Sequence, residues 1–356
     1  MNLLPYIPAD AARNLGRCVI IGGSGFLGSN LAAALHGAGA DVTTISRHPK
    51  KELTEAGIPH ICADIGDLPT LADALIGFRT VFHTASSCNL WGARKVMHAV
   101  NVRGTENVIA ACRQAGCRSL IYTSTACVTI GRSEFFEADE SLPYQEKYLS
   151  WYPWSKKLAE KAVLAANSPE LRCCSLRPHL IWGPDDPYLL PGIVKSVRQG
   201  LLRRLGRGDN LVSLSHIGNV VLGHIMAAIA MNTTGAPAGK AYFLCDEKPV
   251  LLWPWMEEFI VTQGLPRPAR SMPVWTAFAA AKLLELSARI IPAKEPPFIS
   301  PFVIRQITGN YSFSCASANR DFGYVPHVPQ AEALAELTGK FRQPSHRAEE
   351  TPHRSH

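Results

Sequence analysis

Short apolar runs alternate with helix-periodic segments through the first half of the chain. Cys18-Val19-Ile20-Ile21 is apolar throughout and ends in glycine, the pattern of a buried strand. Phe26 to His36 places Leu27, Leu31 and Leu35 at i, i+4 and i+8, one stripe of a helix. Val42 to Ile45, Ile58 to Cys62 and Thr80 to His83 read as further strands. A helix from about Val100 to Gln114 and a strand at Ser119 to Thr123 follow. A second long helix is predicted from about Tyr152 to Ala166, then a strand from Cys173 to Leu180. Such alternation predicts a parallel sheet covered on both faces. After Gly183 the alternation weakens, and Pro184, Pro187 and Pro191 mark a change of regime.

Between Pro273 and Pro292 an apolar stretch is broken by Lys282, Glu285 and Arg289. These share one helical face, and Trp275, Phe278, Leu283, Leu286 and Ile290 are expected on the other. The charges argue against a membrane-spanning helix. An ordinary helix packing on its own domain and an amphipathic helix meeting a membrane or a lipid substrate through 273–292 both fit.

Hydrophobic residues are 47% of the 356 and charged ones 18%, which excludes a disordered chain and suggests extra apolar contact surface. The net charge of +7 is spread along the chain, so no nucleic-acid partner is expected. Arg203, Arg204 and Arg207 form a small basic cluster, read either as a solvated surface or as a contact for an acidic substrate. The 10 cysteines include no CxxC pair. Buried thiols in a reducing compartment are expected, with no disulfide framework and no metal site. No signal peptide is read at the N-terminus, so the expected location is cytoplasmic, with membrane association as an option.

The first strand runs into Gly22-Gly23-Ser24-Gly25-Phe26-Leu27-Gly28. Between a strand and a helix, such spacing predicts a dinucleotide loop. Gly22 makes the sharp turn, Gly25 lets the backbone approach a pyrophosphate, and Gly28 lets the helix lie close to the sheet. Phe26 and Leu27 open the helix, whose free N–H groups face the phosphates. The second strand ends in Ser46-Arg47 with no acid, which favours NADP(H), with NAD(H) also admitted. Asp64, with Ile65, follows the third strand as a candidate adenine contact.

Tyr152-Pro153-Trp154-Ser155-Lys156 puts a phenol and an ammonium four residues apart, on one helical face. A phenol of pKa about 10 is a poor base, but a nearby ammonium favours the phenolate. Tyr152 is therefore a candidate to exchange a proton with an alcohol or ketone as hydride moves. Ser124 and Thr125, at the end of the fifth strand, sit where parallel sheets place ligands. The expected fold class is α/β: a Rossmann-type doubly wound parallel sheet with a smaller mixed C-terminal substrate lobe. The expected division is a lead at 1–16, a cofactor-binding and catalytic domain at 17–183, a mainly substrate-binding lobe at 184–341 and a disordered tail at 342–356. Some strands of the lobe are free to return to the main sheet.

These stretches resemble an extended short-chain dehydrogenase/reductase, and more closely the 3β-hydroxysteroid dehydrogenase family. GGSGFLG at 22–28, VFHTA at 81–85, NVRGTENVIAA at 101–111, IYTST at 121–125, YPWSKKLAEKAVLAAN at 152–167 and LRPHLIWGP at 176–184 carry the likeness, with an echo in RDFGYVP at 320–326. The resemblance implies Tyr152 and Lys156 as the catalytic pair, which also touch the cofactor. Thr125 stands where the family has a serine, and neighbouring Ser124 is the alternative. It further implies cofactor contacts at His83, Thr84, Ala85 and Asn101, with Arg177, Pro178 and His179 passing near the nicotinamide. No residues match the family's isomerase activity.

The expected function is oxidoreduction between a 3-hydroxy and a 3-keto group on a bulky, apolar, sterol-like molecule, with loss of an adjacent carboxylate in one branch. The alternative is reduction of a 2-alkyl-3-oxoalkanoate, as in long-chain olefin synthesis. A nucleotide-sugar epimerase and a non-catalytic NADPH-binding protein are weaker readings. Trp91, Trp154 and Trp182 are placed at the substrate pocket or, equally, in the core. A lipid-like substrate and a homodimer complete the expected partners.

Overall fold

Seven parallel strands carry the larger part of the molecule: β1 (Cys18–Ile21), β2 (Val42–Ser46), β3 (His60–Cys62), β4 (Thr80–His83), β5 (Ser119–Thr123), β6 (Arg172–Pro178) and β7 (Ala241–Leu244). The structure is a computed structural model describing residues 2–89, 92–290 and 299–341. Across the sheet the order is β7-β6-β5-β4-β1-β2-β3, so the direction of winding reverses between β1 and β4. Such reversal points are where open parallel sheets bind ligands.

Helices cover both faces. On one, α1 (Phe26–Gly37) lays Leu31 and Leu35 beside Val220, Val221, Ile225 and Met231 of α4 (Ile217–Thr233). On the other, α2 (Gly104–Gln114) and α3 (Trp151–Ala165) bury Val108, Cys112, Ala159 and Val163 against β1, β4 and β5. The expected helix at 100–114 is two elements: a π-turn at His98–Arg103 precedes α2. The expected strand at 173–180 stops at Pro178 because Leu180 takes φ +46°, a left-handed backbone that breaks strand geometry.

The segment 217–244 returns to the main sheet. α4 has apolar residues around most of its circumference, as a helix buried on several sides must. β7 then pairs with β6 in parallel, Ala241 against Ser175. The sequence reading did not separate these elements from the second lobe, since a helix apolar all round lacks a clean stripe. The second lobe has its own core, with Trp182, Trp253, Trp255 and Phe259 buried together. It contains a small mixed sheet whose strands come from Phe135–Ala138, Leu211–Val212, Val250–Leu251 and Tyr311–Phe313.

The helix expected at 273–292 is α5 (Val274–Ile290), with 291–292 outside the described residues. It buries Ala277 and Ala281, and packs Val274 and Phe278 against the lobe core. Trp275, Leu283 and Leu286 face outward, Trp275 with 73% of its surface exposed. Phe278 thus does not share their face: it points inward, beneath the Arg305 guanidinium of α6 (Pro301–Thr308). Among the described residues no helix is long and apolar enough to cross a membrane.

All ten cysteines are free thiols. Seven are buried as expected, but Cys62 and Cys88 are exposed and Cys315 is half-buried. In the basic cluster, Arg204 pairs with Glu257 and Arg207 with Asp209. Arg203 donates to the carbonyls of Gly200 and Leu202.

Candidate active site

The loop after β1 turns at Gly22, whose φ is +91°. A Cβ there would lie 2.6 Å from the Ala85 amide nitrogen, and one at Gly28 would lie 2.2 Å from the Gly22 carbonyl oxygen. Both positions therefore require glycine. Gly25 is exposed, and α1 begins after it with no side-chain cap. The first amides of α1, from Phe26 and Leu27, are left for a ligand. Residues 83–85 close over this turn: Thr84 and Ala85 donate their amides to Ile21 O at 2.9 and 3.0 Å. An open phosphate-sized cradle at a helix N-terminus fits a dinucleotide.

At the end of β2, Ser46 Oγ donates to His48 O at 2.7 Å, and the Arg47 side chain is exposed. A second cation, missed in the sequence, stands close by. Lys50 Nζ donates to Ser29 Oγ of α1 at 2.7 Å. Asp64 is exposed and accepts the Gly66 amide at 2.7 Å, while Ile65 O accepts from Asn107 Nδ2 at 2.8 Å.

α3 carries the catalytic candidates, capped by Ser150, whose hydroxyl accepts the Tyr152 amide. The Thr125 hydroxyl lies near enough to the Tyr152 phenol to pull its pKa down, and Thr125 Oγ1 also accepts the Cys127 amide at 3.3 Å. Ser124 Oγ faces Glu160 without a hydrogen bond of normal geometry. The two strand-end hydroxyls thus act on different groups: Thr125 on Tyr152, and Ser124 on Glu160.

Lys156 is buried. Its Nζ donates to Thr123 O at 2.5 Å and lies 4.2 Å from the Tyr122 ring centre. Burial lowers its pKa to about 8, partly resisted by Cys88 and Glu160. Burial also pushes the Tyr152 phenol well above its ordinary value, with further increments from Cys88, Cys127 and Tyr122, against the pull of the Thr125 hydroxyl. The ammonium is directed at Thr123 O and the Tyr122 ring.

Asn101 sits in the π-turn and ties the site together. Its Oδ1 accepts the Ser87 amide at 2.7 Å, and its Nδ2 donates to Ser87 O at 3.0 Å and Ser155 Oγ at 2.9 Å. The loop after β4 is thereby fixed to α3. His83 is fully buried, with Nε2 3.0 Å from Thr105 Oγ1. Burial first, and the Lys156 charge second, lower its pKa to about 3, so the ring is neutral.

Sequence reasoning missed Glu160. One turn beyond Lys156, it is completely buried and binds Arg177 by Nη2 at 2.6 Å and Nε at 3.1 Å. Tyr144 OH and Ser175 Oγ donate to it at 2.7 and 2.8 Å. Burial alone would raise this carboxyl, but Arg177 and the neighbouring hydroxyls hold it below its ordinary value. The available signal was an acid inside an amphipathic helix four residues from Lys156. The Arg177 side chain is accordingly committed to Glu160. Pro178 ends β6, and both His179 ring nitrogens are occupied, Nδ1 by Ser213 O at 2.7 Å and Nε2 by Gln306 at 3.0 Å.

Of the tryptophans, Trp182 is a core residue: it is fully buried, donates to Asp246 at 2.9 Å and packs on Trp255. That corrects its placement at the pocket. Trp154 is half-buried, with the Arg94 guanidinium 4.9 Å from its ring centre. Trp91 lies outside the described residues.

A model of the 3-beta hydroxysteroid dehydrogenase/isomerase family matches residues 19–274. The chain is 36% identical over 324 residues to a 2-alkyl-3-oxoalkanoate reductase of Stenotrophomonas maltophilia, covering 90% of this chain and 98% of that one. It is 33% identical over 333 residues to a decarboxylating sterol-4-alpha-carboxylate 3-dehydrogenase of Mus musculus, covering 91% of each. The crystal structure of gox2253 superposes with a TM-score of 0.73 at 25% identity, covering 92% of this chain and 98% of that one.

Replacing Glu160 leaves Arg177 buried without its counter-charge. Glu160→Gln should destabilise the protein by about 3–5 kcal/mol in urea unfolding. A loss below about 1 kcal/mol would show that the pair does not hold α3 on the sheet.

Proposed function

Since this chain belongs to the 3-beta hydroxysteroid dehydrogenase/isomerase family, we propose that it is a nicotinamide-dependent oxidoreductase interconverting a hydroxyl and a ketone on a large apolar acid. The observation that carries this reading is the Tyr152–Thr125 hydroxyl pair at the C-terminal end of β5, with Lys156 buried beside it. Phe26 and Leu27 would hold the pyrophosphate on their amides, with Gly25 letting it approach the backbone, since the Gly25 amide donates to Gly22 O. A bound nicotinamide dinucleotide supplies the hydride donor or acceptor. Tyr152 gives a proton to the ketone oxygen or takes one from the alcohol, and Thr125 orients that oxygen. Lys156 sets the proton affinity of the group by its charge.

The relatives' names share a chemical fragment. A 2-alkyl-3-oxoalkanoate and a sterol-4-alpha-carboxylate reacting at C3 both place the oxygen-bearing carbon next to a branched carbon that bears a carboxylate. The substrate is therefore a branched β-oxy acid with a bulky apolar remainder. The sterol-like form, with loss of the carboxylate after oxidation, is the primary reading, and the long-chain 2-alkyl-3-oxo acid is the alternative. A panel of 3β-hydroxysteroids with and without a 4-carboxyl group, plus a 2-alkyl-3-oxo acid, separates them, with carbon dioxide release marking the decarboxylating branch. Tyr152→Phe should lower turnover about 10²–10⁴-fold with cofactor binding retained. Undiminished turnover would refute the assignment.

The cofactor is NADP(H), supported by exposed Arg47 with Lys50 close to the same loop. A 2′-phosphate gains charge-assisted hydrogen bonds from such cations. Arg47→Asp should shift the ratio of NADP(H) to NAD(H) efficiency about 10–100-fold towards NAD(H). An unchanged ratio would reject the 2′-phosphate role.

The outward residues Trp275, Leu283 and Leu286 of α5 are close in sequence to exposed Arg267, Arg270 and Lys282. An apolar patch beside cations suits the surface of an anionic bilayer, the phase that holds a water-insoluble substrate. Co-sedimentation with phosphatidylserine-containing vesicles should fall at least about tenfold in a Trp275→Glu/Leu283→Glu variant. Equal sedimentation of variant and wild type would exclude α5 as the contact.

A further inference from the structure

A second charged cavity lies at the opposite end of the sheet from Tyr152. It is lined by Arg79, Arg118, Ser119, Pro169, Arg172 and Asn232 and has a volume of about 410 Å³. Strand register sets Arg79 level with Arg118, just before the paired Thr80 and Ser119, and places Arg172 one residue on, opposite Ser119. Arg79 and Arg118 immediately precede β4 and β5, and Arg172 opens β6. The Arg118 amide donates to Arg79 O at 2.9 Å, and the Arg172 amide to Arg118 O at 2.9 Å. Adjacent strands thus enter the sheet through a row of cations.

Like charges on neighbouring strands repel, so such a row destabilises a free protein unless something neutralises it. Arg17, which enters β1 in the same row, is neutralised by Asp41 at 3.1 Å. Among the described residues, no carboxylate forms an ion pair with Arg79, Arg118 or Arg172. Glu170 acts on Arg118 and Arg113 only at longer range, and its carboxyl is held low chiefly by Ser168.

The cavity floor is rigid and polar. Ser119 Oγ donates to Asn232 Oδ1 at 2.6 Å, and Asn232 Nδ2 donates to Thr80 Oγ1 at 2.8 Å. Arg172 is braced by an Nη1 bond to Met231 O at 2.9 Å, which leaves the rest of its guanidinium for a ligand.

We propose that this cavity is a binding site for a diphosphate-bearing ligand, separate from the dinucleotide loop. Guanidinium forks match phosphate oxygens in pairs. One phosphate group carries about −1.5 to −2 charge, which falls short of a triple cation, whereas two linked groups meet it. The volume is of the size that holds a small ligand. β5 separates the two sites, with Arg118 before its first residue and Thr125 beyond its last.

Calorimetric titration of the full chain with inorganic pyrophosphate tests the site, because pyrophosphate also has access to the glycine loop and the variants divide the two. Binding should weaken at least tenfold in Arg79→Gln/Arg118→Gln and stay within twofold of wild type in Gly25→Asp, whose carboxylate would repel a phosphate from the glycine loop. Inorganic phosphate should bind at least tenfold more weakly than pyrophosphate at matched ionic strength. The unliganded double variant should melt at or above the wild-type temperature, because the repulsion is relieved. Absent binding, or binding lost in Gly25→Asp and kept in the double variant, would overturn the proposal. A lower melting temperature of the unliganded double variant would overturn it too, by showing that the row is not strained without a ligand.

Discussion

The buried contact between Glu160 and Arg177 is the constraint around which the active end of the molecule is arranged. It joins the middle of α3 to the C-terminal end of β6, so the helix bearing Tyr152 and Lys156 has one depth and one rotation on the sheet. Isolated charges are expensive to bury, and this pair is tolerable because its hydrogen-bonding capacity is nearly filled. Glu160 accepts from Arg177, Tyr144 and Ser175 together. Tyr144 comes from the segment before α3 and Ser175 from β6, so the ion pair also fixes the approach to the helix.

Lys156 has no comparable partner. Its ammonium is met by a carbonyl and an aromatic face, which offset only part of its lost hydration. A helix with two buried charged side chains would be a poor choice for stability alone. The arrangement makes sense as a device that keeps an ammonium at the C-terminal edge of β5 in a medium where its charge acts strongly. Asn101 serves the same edge from the other side, since its amide links the loop after β4 to α3. Parallel strands leave such edges open, and three separate segments close this one.

Much of the sheet was legible because its strands are buried on both faces and appear as uninterrupted apolar runs; β1, β4 and β5 have the expected bounds. The glycine loop was legible for a related reason, since the clashes at Gly22 and Gly28 leave no alternative residue. What escaped depends on contacts distant in sequence. Glu160 pairs with Arg177 across a helix and a strand, and a mid-helix acid looks like an ordinary solvated residue until that strand is in place. α4 escaped because its apolar surface has no preferred side. Trp182 and Trp154 illustrate the limit of composition: an indole marks bulk, and only the fold decides that one sits with Trp255 in the core and the other beneath Arg94. The choice between Ser124 and Thr125 was equally undecidable from the sequence. Successive residues of an extended chain face opposite ways, so the hydroxyl that meets Tyr152 depends on where β5 ends.

The charge state of the free site bears on the chemistry it is prepared for. Burial favours the neutral form of each ionisable group, so it raises Tyr152 and lowers Lys156 and His83 together. Tyr152 therefore rests as a phenol near the Thr125 hydroxyl, and a phenol is the form that protonates a ketone oxygen as hydride arrives at carbon. Proton removal from an alcohol needs the opposite form, which burial disfavours unless positive charge is added near the ring. Lys156, with a pKa of about 8, is still mostly charged at neutral pH, but its ammonium points at Thr123. The ammonium as placed thus acts on the carbonyl end of β5, and the form of Tyr152 that an alcohol needs is the one that burial disfavours.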